Sequence, residues 1–312
     1  MHCSKAGLTR PGFSGAGPRP AAASQAACAV FVLVALMPLQ AADFSGASAF
    51  DFTKKVVEFG PRPPGSPANK KLQAFIESEL RHRGCEITVD PFRATTPVGP
   101  IAMKSIICKF PGKSGRAIVL TGHFDSKLFP GRHFVGANDS GSSTGILLEF
   151  ARVLQTRSHA DDIYLVWFDG EEAIADWTAT DSLYGSRHLA ERWEHDGTLA
   201  RIKALVNLDM IGDRDLGVLQ DTEGSPQLNQ LIWTIAKDLG YGKYFLNTGG
   251  AVEDDHAPFL RRGVNAVDLI DFDFGPQNSY WHTDQDTMDK VSAHSLQVIG
   301  DVIMELIRRL ST

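Results

Sequence analysis

Cysteine is scarce: four occur in 312 residues, and two of them, Cys3 and Cys28, fall in an N-terminal segment unlike the rest. Only Cys85 and Cys108 remain for the body of the chain, which rules out a zinc cage built from thiolates. Positive charge is not in excess either. The formal net charge is -6 and the isoelectric point lies near 5.9. No run of Lys and Arg offers the electropositive footprint that nucleic acid requires. The one sustained apolar run, Ala26 to Leu36, is shorter than the roughly 20 residues of a membrane span. No internal repeat or low-complexity linker follows it.

Lys5, Arg10 and Arg19 precede that run and the small residues Ala41 and Ala42 follow it, the pattern of a secretory leader cleaved near Ala41 or Ala42. The expectation is a signal peptide over 1–41 and a single domain over 42–312, secreted or periplasmic, with no stable membrane insertion of the mature chain. A retained N-terminal anchor is the competing reading. Cys85 opens the strand-like stretch CEITVDPF and Cys108 sits near the end of MKSIICKF. A hairpin centred on Thr96 and Pro97 would bring the two face to face. Both a disulfide formed after export and a pair of buried thiols in adjacent strands fit that arrangement.

What is present is an alternation of elements. Apolar positions recur at helical spacing over Ala49 to Phe59 and Asn69 to Arg83, with the proline-rich GPRPPGSP between them as a breaker. Strand-like runs follow at Ala117 to Thr121, Ile163 to Phe168, Ala204 to Leu208 and Ala266 to Ile270. They are separated by helical patterns at Gly141 to Leu154, Ser186 to Glu194 and Gln227 to Leu239, and Ala293 to Leu310 closes the chain. Such alternation predicts an α/β fold, one domain with a mixed, mostly parallel central sheet flanked by helices.

Each of the four apolar strands runs into ionisable residues: His123 and Asp125, then Asp169, Glu171 and Glu172, then Asp209, then Asp271. Ligands of open α/β sheets bind beyond the carboxyl ends of strands, so these groups are expected to converge. The clusters Asp254, Asp255, His256 and Trp281, His282 are placed to complete the same crevice. One His or Asp at a strand end is usually a cap or a satisfied polar group. Five clusters together point to a metal centre of nitrogen and oxygen ligands with an open position, suited to zinc.

The stretches GHFDSK (Gly122 to Lys127), VGANDS (Val135 to Ser140), WFDGEEA (Trp167 to Ala173), DSLYGSRHLA (Asp181 to Ala190), LVNLDMIG (Leu205 to Gly212), DDHAPFLRRGV (Asp254 to Val264) and YWHT (Tyr280 to Thr283) resemble those of glutaminyl cyclases, relatives of the two-metal zinc aminopeptidases. The resemblance runs from about Ala49 to the C-terminus. It implies an aminopeptidase-like fold and an enzyme that closes N-terminal glutamine of peptides or proteins into pyroglutamate. It implies one zinc ion held by Asp139, Glu172 and His282, with Glu171 as general base and acid. Asp209 and Asp254 match a hydrogen-bonded acidic network, Trp177 and Trp281 match aromatic walls of the substrate pocket, and Asp255 is a candidate outer partner. On this reading Asp209 and Asp254 share a proton, and Asp176 and Asp181 are solvated or capping residues.

Two other readings stay open. His123 and Asp209 occupy positions that bind a second metal in related aminopeptidases, so a two-zinc enzyme releasing N-terminal residues is the alternative. A binding protein that kept the fold and lost its metal would show a broken ligand set, whereas this one is intact. Two departures from the animal secreted cyclases are visible. Gly122 and Thr144 leave no place for the disulfide those enzymes carry there, and Gln277 to Tyr280 is polar where they carry a more apolar loop. The oligomeric state is not legible.

Overall fold

Ala117–His123, Asp162–Phe168 and Ala266–Ile270 are buried along their whole length, as strands covered on both faces must be. The computed structural model describes residues 43–311 and the isolated positions 15 and 17; the expected leader lies outside the described residues. The chain begins with α1 (Gly46–Val57) and α2 (Pro67–Leu80). Ser45 and Ser66 cap them, each accepting a backbone N–H in the first turn. Pro67 opens α2, where its missing N–H costs nothing. A long hairpin follows, β1 (Glu86–Thr96) and β2 (Gly99–Phe110), in which Thr96 pairs with Gly99. Cys85 and Cys108 are joined as a disulfide at its base.

From there strands and helices alternate: β3 (Ala117–His123), α3 (Gly141–Leu154), β4 (Asp162–Phe168), α4 (Tyr184–His195), β5 (Ile202–Asp209), β6 (Val218–Asp221), α5 (Pro226–Asp238), β7 (Phe245–Gly250), α6 (Ala257–Leu260), β8 (Ala266–Ile270) and α7 (Ala293–Leu310). Six strands form one sheet in the order β1-β2-β4-β3-β5-β8, and β6 pairs with β7 in a small separate sheet. The strands β4, β3, β5 and β8 run parallel to one another, while β2 meets β4 in the opposite direction. The expected mixed, mostly parallel α/β architecture is what forms.

Both faces are covered. On one, Phe52, Leu72, Ile146, Phe150 and Ile299 from the helices pack over Leu120, Leu165 and Val206 of the strands. On the other, Val119, Val166 and Phe168 meet Trp193 of α4 and Phe259 of α6. Burying each such side chain stabilises the fold by roughly 1.5–3 kcal/mol. At Gly122 the sheet and α3 approach closely: a Cβ there would lie 2.8 Å from the Ser143 Cβ and 2.9 Å from the Leu208 carbonyl oxygen. The close approach that leaves no cysteine at this point is thus used for packing. Among the described residues no helix is long and apolar enough to cross a membrane.

Candidate active site

Register sets the site. Pairing of His123 with Phe168, and of Thr121 with Asn207, brings the carboxyl ends of β3, β4 and β5 level at one edge of the sheet. Beyond β4 the chain reverses at Gly170, whose φ of +74° belongs to the left-handed region. A Cβ there would sit 2.6 Å from the Met103 Sδ, so only glycine fits both the turn and the space. The reversal carries Glu171 and Glu172 back over the sheet edge. There Asp125, fully buried, accepts their N–H groups at 3.1 and 3.3 Å.

The loop before α3 is held from both sides. Arg62, out of the proline-rich segment, is completely buried; its guanidinium donates to the Phe124 carbonyl at 2.8 Å, the Gly136 carbonyl at 2.8 Å and the Ser140 Oγ at 3.0 Å. Burial pulls the Arg62 guanidinium down to about 10 against the support of Asp286, Asp139 and Asp125. From the other side Asp286 accepts the N–H groups of Asn138 and Asp139 at 2.7 and 3.1 Å. Burial, with Asp139 alongside, pushes the Asp286 carboxyl up to about 8.

Between these supports three side chains meet. His282 Nε2 lies 3.2 Å from Asp139 Oδ2 and 3.0 Å from Glu172 Oε1. Their ligand atoms all fall within 4.8 Å of one another. The ligand atoms of His123, Asp139 and Asp209 form a second such group: His123 Nε2 is 3.3 Å from Asp139 Oδ1 and 3.2 Å from Asp209 Oδ1. Asp139 therefore turns one oxygen to each histidine. Buried carboxylates this close are accommodated by a cation between them or by retaining a proton. Although burial opposes charge on either group, Asp139 and Glu172 push His282 up to about 10, and the two histidines hold Asp139 below the usual carboxylate range. Two carboxylates and an imidazole are a donor set that fits a divalent metal such as zinc.

Glu171 is turned away from Glu172 in the direction of His123, with Oε2 3.8 Å from Nδ1. Burial raises its carboxyl well above the ordinary range; His123 works against that, and the charges of Asp254, Glu172 and Asp255 add to it. Asp209 is pushed up to about 7, chiefly by burial, with His123 opposing and Asp254 and Asp139 contributing. These groups form the polar end of a cavity of about 530 Å³, lined also by Trp177, Val252, Ile270, Phe272 and Trp281. The Trp281 ring stacks on His282 at 4.1 Å and meets Phe272 edge-on at 4.9 Å. His282 itself has φ of +53°, an uncommon backbone for a non-glycine residue that helps aim its ring inward.

The structure brings Asp139, Glu171, Glu172, Asp209, Asp254, Trp177, Trp281 and His282 to this one cavity. It does not bring all the expected acids. Asp169 faces away and accepts from Asn69 at 2.9 Å, Gln73 at 3.1 Å and the Lys104 N–H at 2.9 Å. Asp271 takes the Gly217 and Asp273 N–H groups at 2.7 and 3.2 Å, holding a neighbouring turn. His256 is buried against Asp221 at 3.2 Å instead of facing the crevice. Asp255 is fully buried behind Asp254. A carboxylate at a strand end serves a turn as readily as a site, so position alone did not separate them.

Asp176 is exposed as expected, but Asp181 is only 5% exposed and is not solvated. The polar segment Gln277 to Tyr280 does not line the cavity; Tyr280 packs instead against Phe274. Lys127, overlooked as a site residue, does line it, with its Nζ 3.3 Å from Glu172 Oε2 and 3.2 Å from the Ala173 carbonyl. The lone cation inside the acidic GHFDSK motif was the available signal.

Residues 105–307 match the family model described as Peptidase family M28. A glutaminyl-peptide cyclotransferase-like protein of Bos taurus is 36% identical over 255 residues, 72% of this chain and 66% of that protein. The chain thus spans about two thirds of the length of this relative. A glutaminyl-peptide cyclotransferase of Drosophila melanogaster is 34% identical over 252 residues, 72% of this chain and 70% of that one. Among solved structures, an Acidobacteriales bacterium glutaminyl cyclase superposes with a TM-score of 0.84 at 42% identity, covering 88% of this chain and 98% of its own. With motifs, fold and similarity in agreement, the chain belongs to peptidase family M28 and, within it, to the glutaminyl-peptide cyclotransferases.

Proposed function

We propose that this protein converts the N-terminal glutamine of peptides or proteins into pyroglutamate with release of ammonia. The observation that carries the reading is one arrangement: Asp139, Glu172 and His282 converge at the floor of a cavity, with Glu171 beside them and tryptophans on the walls. Asp139, Glu172 and His282 would hold one zinc ion, leaving a position open. When bound, zinc supplies a Lewis acid for the side-chain amide oxygen, a charge stabilisation of several kcal/mol.

The remaining work falls to side chains. The α-amine and the γ-amide belong to the same residue, so the cavity's main task is to hold them folded toward each other. Trp177 and Trp281 provide the apolar walls for that conformer. As the amine nitrogen bonds to the amide carbon, Glu171 takes the proton the amine sheds. It returns that proton to the nitrogen that leaves as ammonia, ending in its starting state. Asp209, whose carboxyl burial pushes up to about 7, and Asp254 present the acidic surface that draws an N-terminal amine inward.

The second reading, a two-zinc aminopeptidase with Glu171 activating water, is favoured by the His123, Asp139 and Asp209 cluster. The family resemblance and the loop bearing Trp177 speak for the cyclase. The deciding experiment offers purified protein a glutaminyl peptide and a set of aminoacyl chromogenic substrates, with zinc counted by elemental analysis. Ammonia and pyroglutamate, uncut chromogenic substrates and one zinc per chain are expected. Released amino acids with no ammonia would make it an aminopeptidase.

We also assign residues 1–41 to an export leader and 42–312 to the catalytic domain. The enzyme then works in the periplasm or outside the cell, where the Cys85–Cys108 disulfide persists. N-terminal sequencing of exported protein tests the boundary.

A further inference from the structure

The segment between Glu172 and α4 wraps around a single side chain. Asp181 Oδ1 accepts the Ile174 N–H at 2.9 Å, while Oδ2 accepts those of Ala175 at 2.9 Å and Asp176 at 3.0 Å. The Tyr184 hydroxyl donates to Oδ1 at 2.7 Å. Three consecutive N–H groups aimed at one carboxylate make an anion-binding nest filled from within the chain. Burial opposes charge on Asp181, but the tyrosine hydroxyl and the three N–H groups hold it below the usual carboxylate range. Thr178 closes the other side: its carbonyl accepts the Asp181 N–H at 3.2 Å and the Ser182 Oγ at 2.9 Å.

The next residue after this nest is Trp177. Its side chain lines the cavity beside Ala175 and Asp176 and yet is 42% exposed. A half-exposed ring gains little placement from packing, so its position must come from the backbone that carries it. Every N–H of the three residues leading to it ends on Asp181, whereas no catalytic group touches Asp181.

We propose that Asp181 is a positioning residue for the substrate pocket: by gathering the 174–176 backbone it fixes the Trp177 wall, and so governs how tightly an N-terminal glutaminyl group is held. As regards substrate this rests on the cyclase reading. The carboxylate cannot be replaced by an amide, because the NH₂ of Asn would face backbone N–H groups where an acceptor is needed. The N–H groups of Glu171 and Glu172 end on Asp125 and not on Asp181. The Glu171 and Gly170 carbonyls are held by the Leu183 and Tyr184 backbone N–H groups, which a change of the Asp181 side chain does not remove, so the chemical step is left largely alone.

The test compares wild type with Asp181→Asn, Trp177→Phe and the double variant. KM for a glutaminyl peptide is expected to rise about tenfold in Asp181→Asn while kcat changes less than about threefold, the signature of lost binding rather than lost catalysis. Zinc content should be unchanged. In the double variant the rise should be no larger than in either single one, since both act through one wall. A second readout needs no turnover: the acrylamide quenching of Trp177, isolated by subtracting Trp177→Phe, should increase in substrate-free Asp181→Asn. If the protein proves not to cyclise glutamine but that quenching rises, the positioning role stands and the substrate assignment falls. Unchanged quenching, additive KM effects, or a loss confined to kcat would overturn the proposal. Should Asp181→Asn fold poorly, Tyr184→Phe removes one donor only and should shift KM and quenching in the same direction by two- to threefold; no shift there counts against it.

Discussion

Asp125 Oδ2 accepts the backbone N–H of Glu172 at 3.3 Å, while its other oxygen takes that of Glu171 at 3.1 Å. One buried carboxylate from the end of β3 thereby sets the orientation of two glutamates from the end of β4. Clamping both N–H groups fixes the bent backbone from which Glu172 reaches His282 at 3.0 Å and Glu171 turns toward His123.

Asp125→Ala should therefore damage metal binding and turnover together. It strips two buried N–H groups of their partner, at about 1–3 kcal/mol each, and supports of this kind commonly matter 10–100-fold in metal affinity. Zinc competition against a chelator and kcat on a glutaminyl peptide should both fall by about that range, and Asp125→Asn should lie between. Wild-type zinc affinity in Asp125→Ala would show that the glutamates are held by something else.

Glu171→Gln separates the roles of the adjacent acids. The amide keeps shape and polarity but carries no proton, so kcat should drop by about 10²–10⁴ with zinc stoichiometry intact and KM within a few-fold. His282→Ala, by contrast, should release zinc and lose turnover with it. A Glu171→Gln enzyme that turns over normally would end the proton-carrier assignment.

Much of this was legible in the sequence where local pattern and tertiary role coincide. The helices Gly141–Leu154 and Ala293–Leu310 and the strand Ala266–Ile270 form with the boundaries that apolar spacing and flanking residues suggest. The strand pair Val218–Asp221 and Phe245–Gly250 was missed: FLNTGG has no alternation and is half exposed, so its pairing is a tertiary effect. At the site, motifs brought out Asp139, Glu172 and His282, but their supports stayed hidden. Asp286 grips Asn138 across 148 positions and Arg62 reaches Ser140 across 78. Asp181 looked like a solvated or capping residue because its four donors become neighbours only when the loop closes.

The hairpin disulfide should stabilise without serving the chemistry. Cys85 and Cys108 are 23 positions apart, and closing a loop of that length in the unfolded chain is worth about 3 kcal/mol. Cys108 pairs with Leu165 at the middle of β4, and neither cysteine lines the cavity. The double variant Cys85→Ala/Cys108→Ala should lose about 2–4 kcal/mol in urea denaturation while keeping kcat/KM within twofold. Equal stability, or lost activity in a folded variant, would contradict this.

Asp271 gives the protein a pH dependence with a definite sign. Burial pushes its carboxyl up to about 7, with the charges of Asp213 and Asp273 adding and the Gly217 and Asp273 N–H groups opposing. An unfolded aspartate titrates near 3.9, so between about pH 4 and pH 7 the folded state binds the extra proton. The contribution is complete below the unfolded value and is lost as pH rises through the folded one, so stability declines across that window. Asp271→Asn cannot titrate, and its amide also disturbs the two accepted hydrogen bonds, so the informative quantity is the slope and not the absolute stability. Urea midpoints at pH 5 and pH 7.5 should differ less in the variant than in the wild type, by at most about 3 kcal/mol. An identical decline in both proteins would place the titrating proton elsewhere.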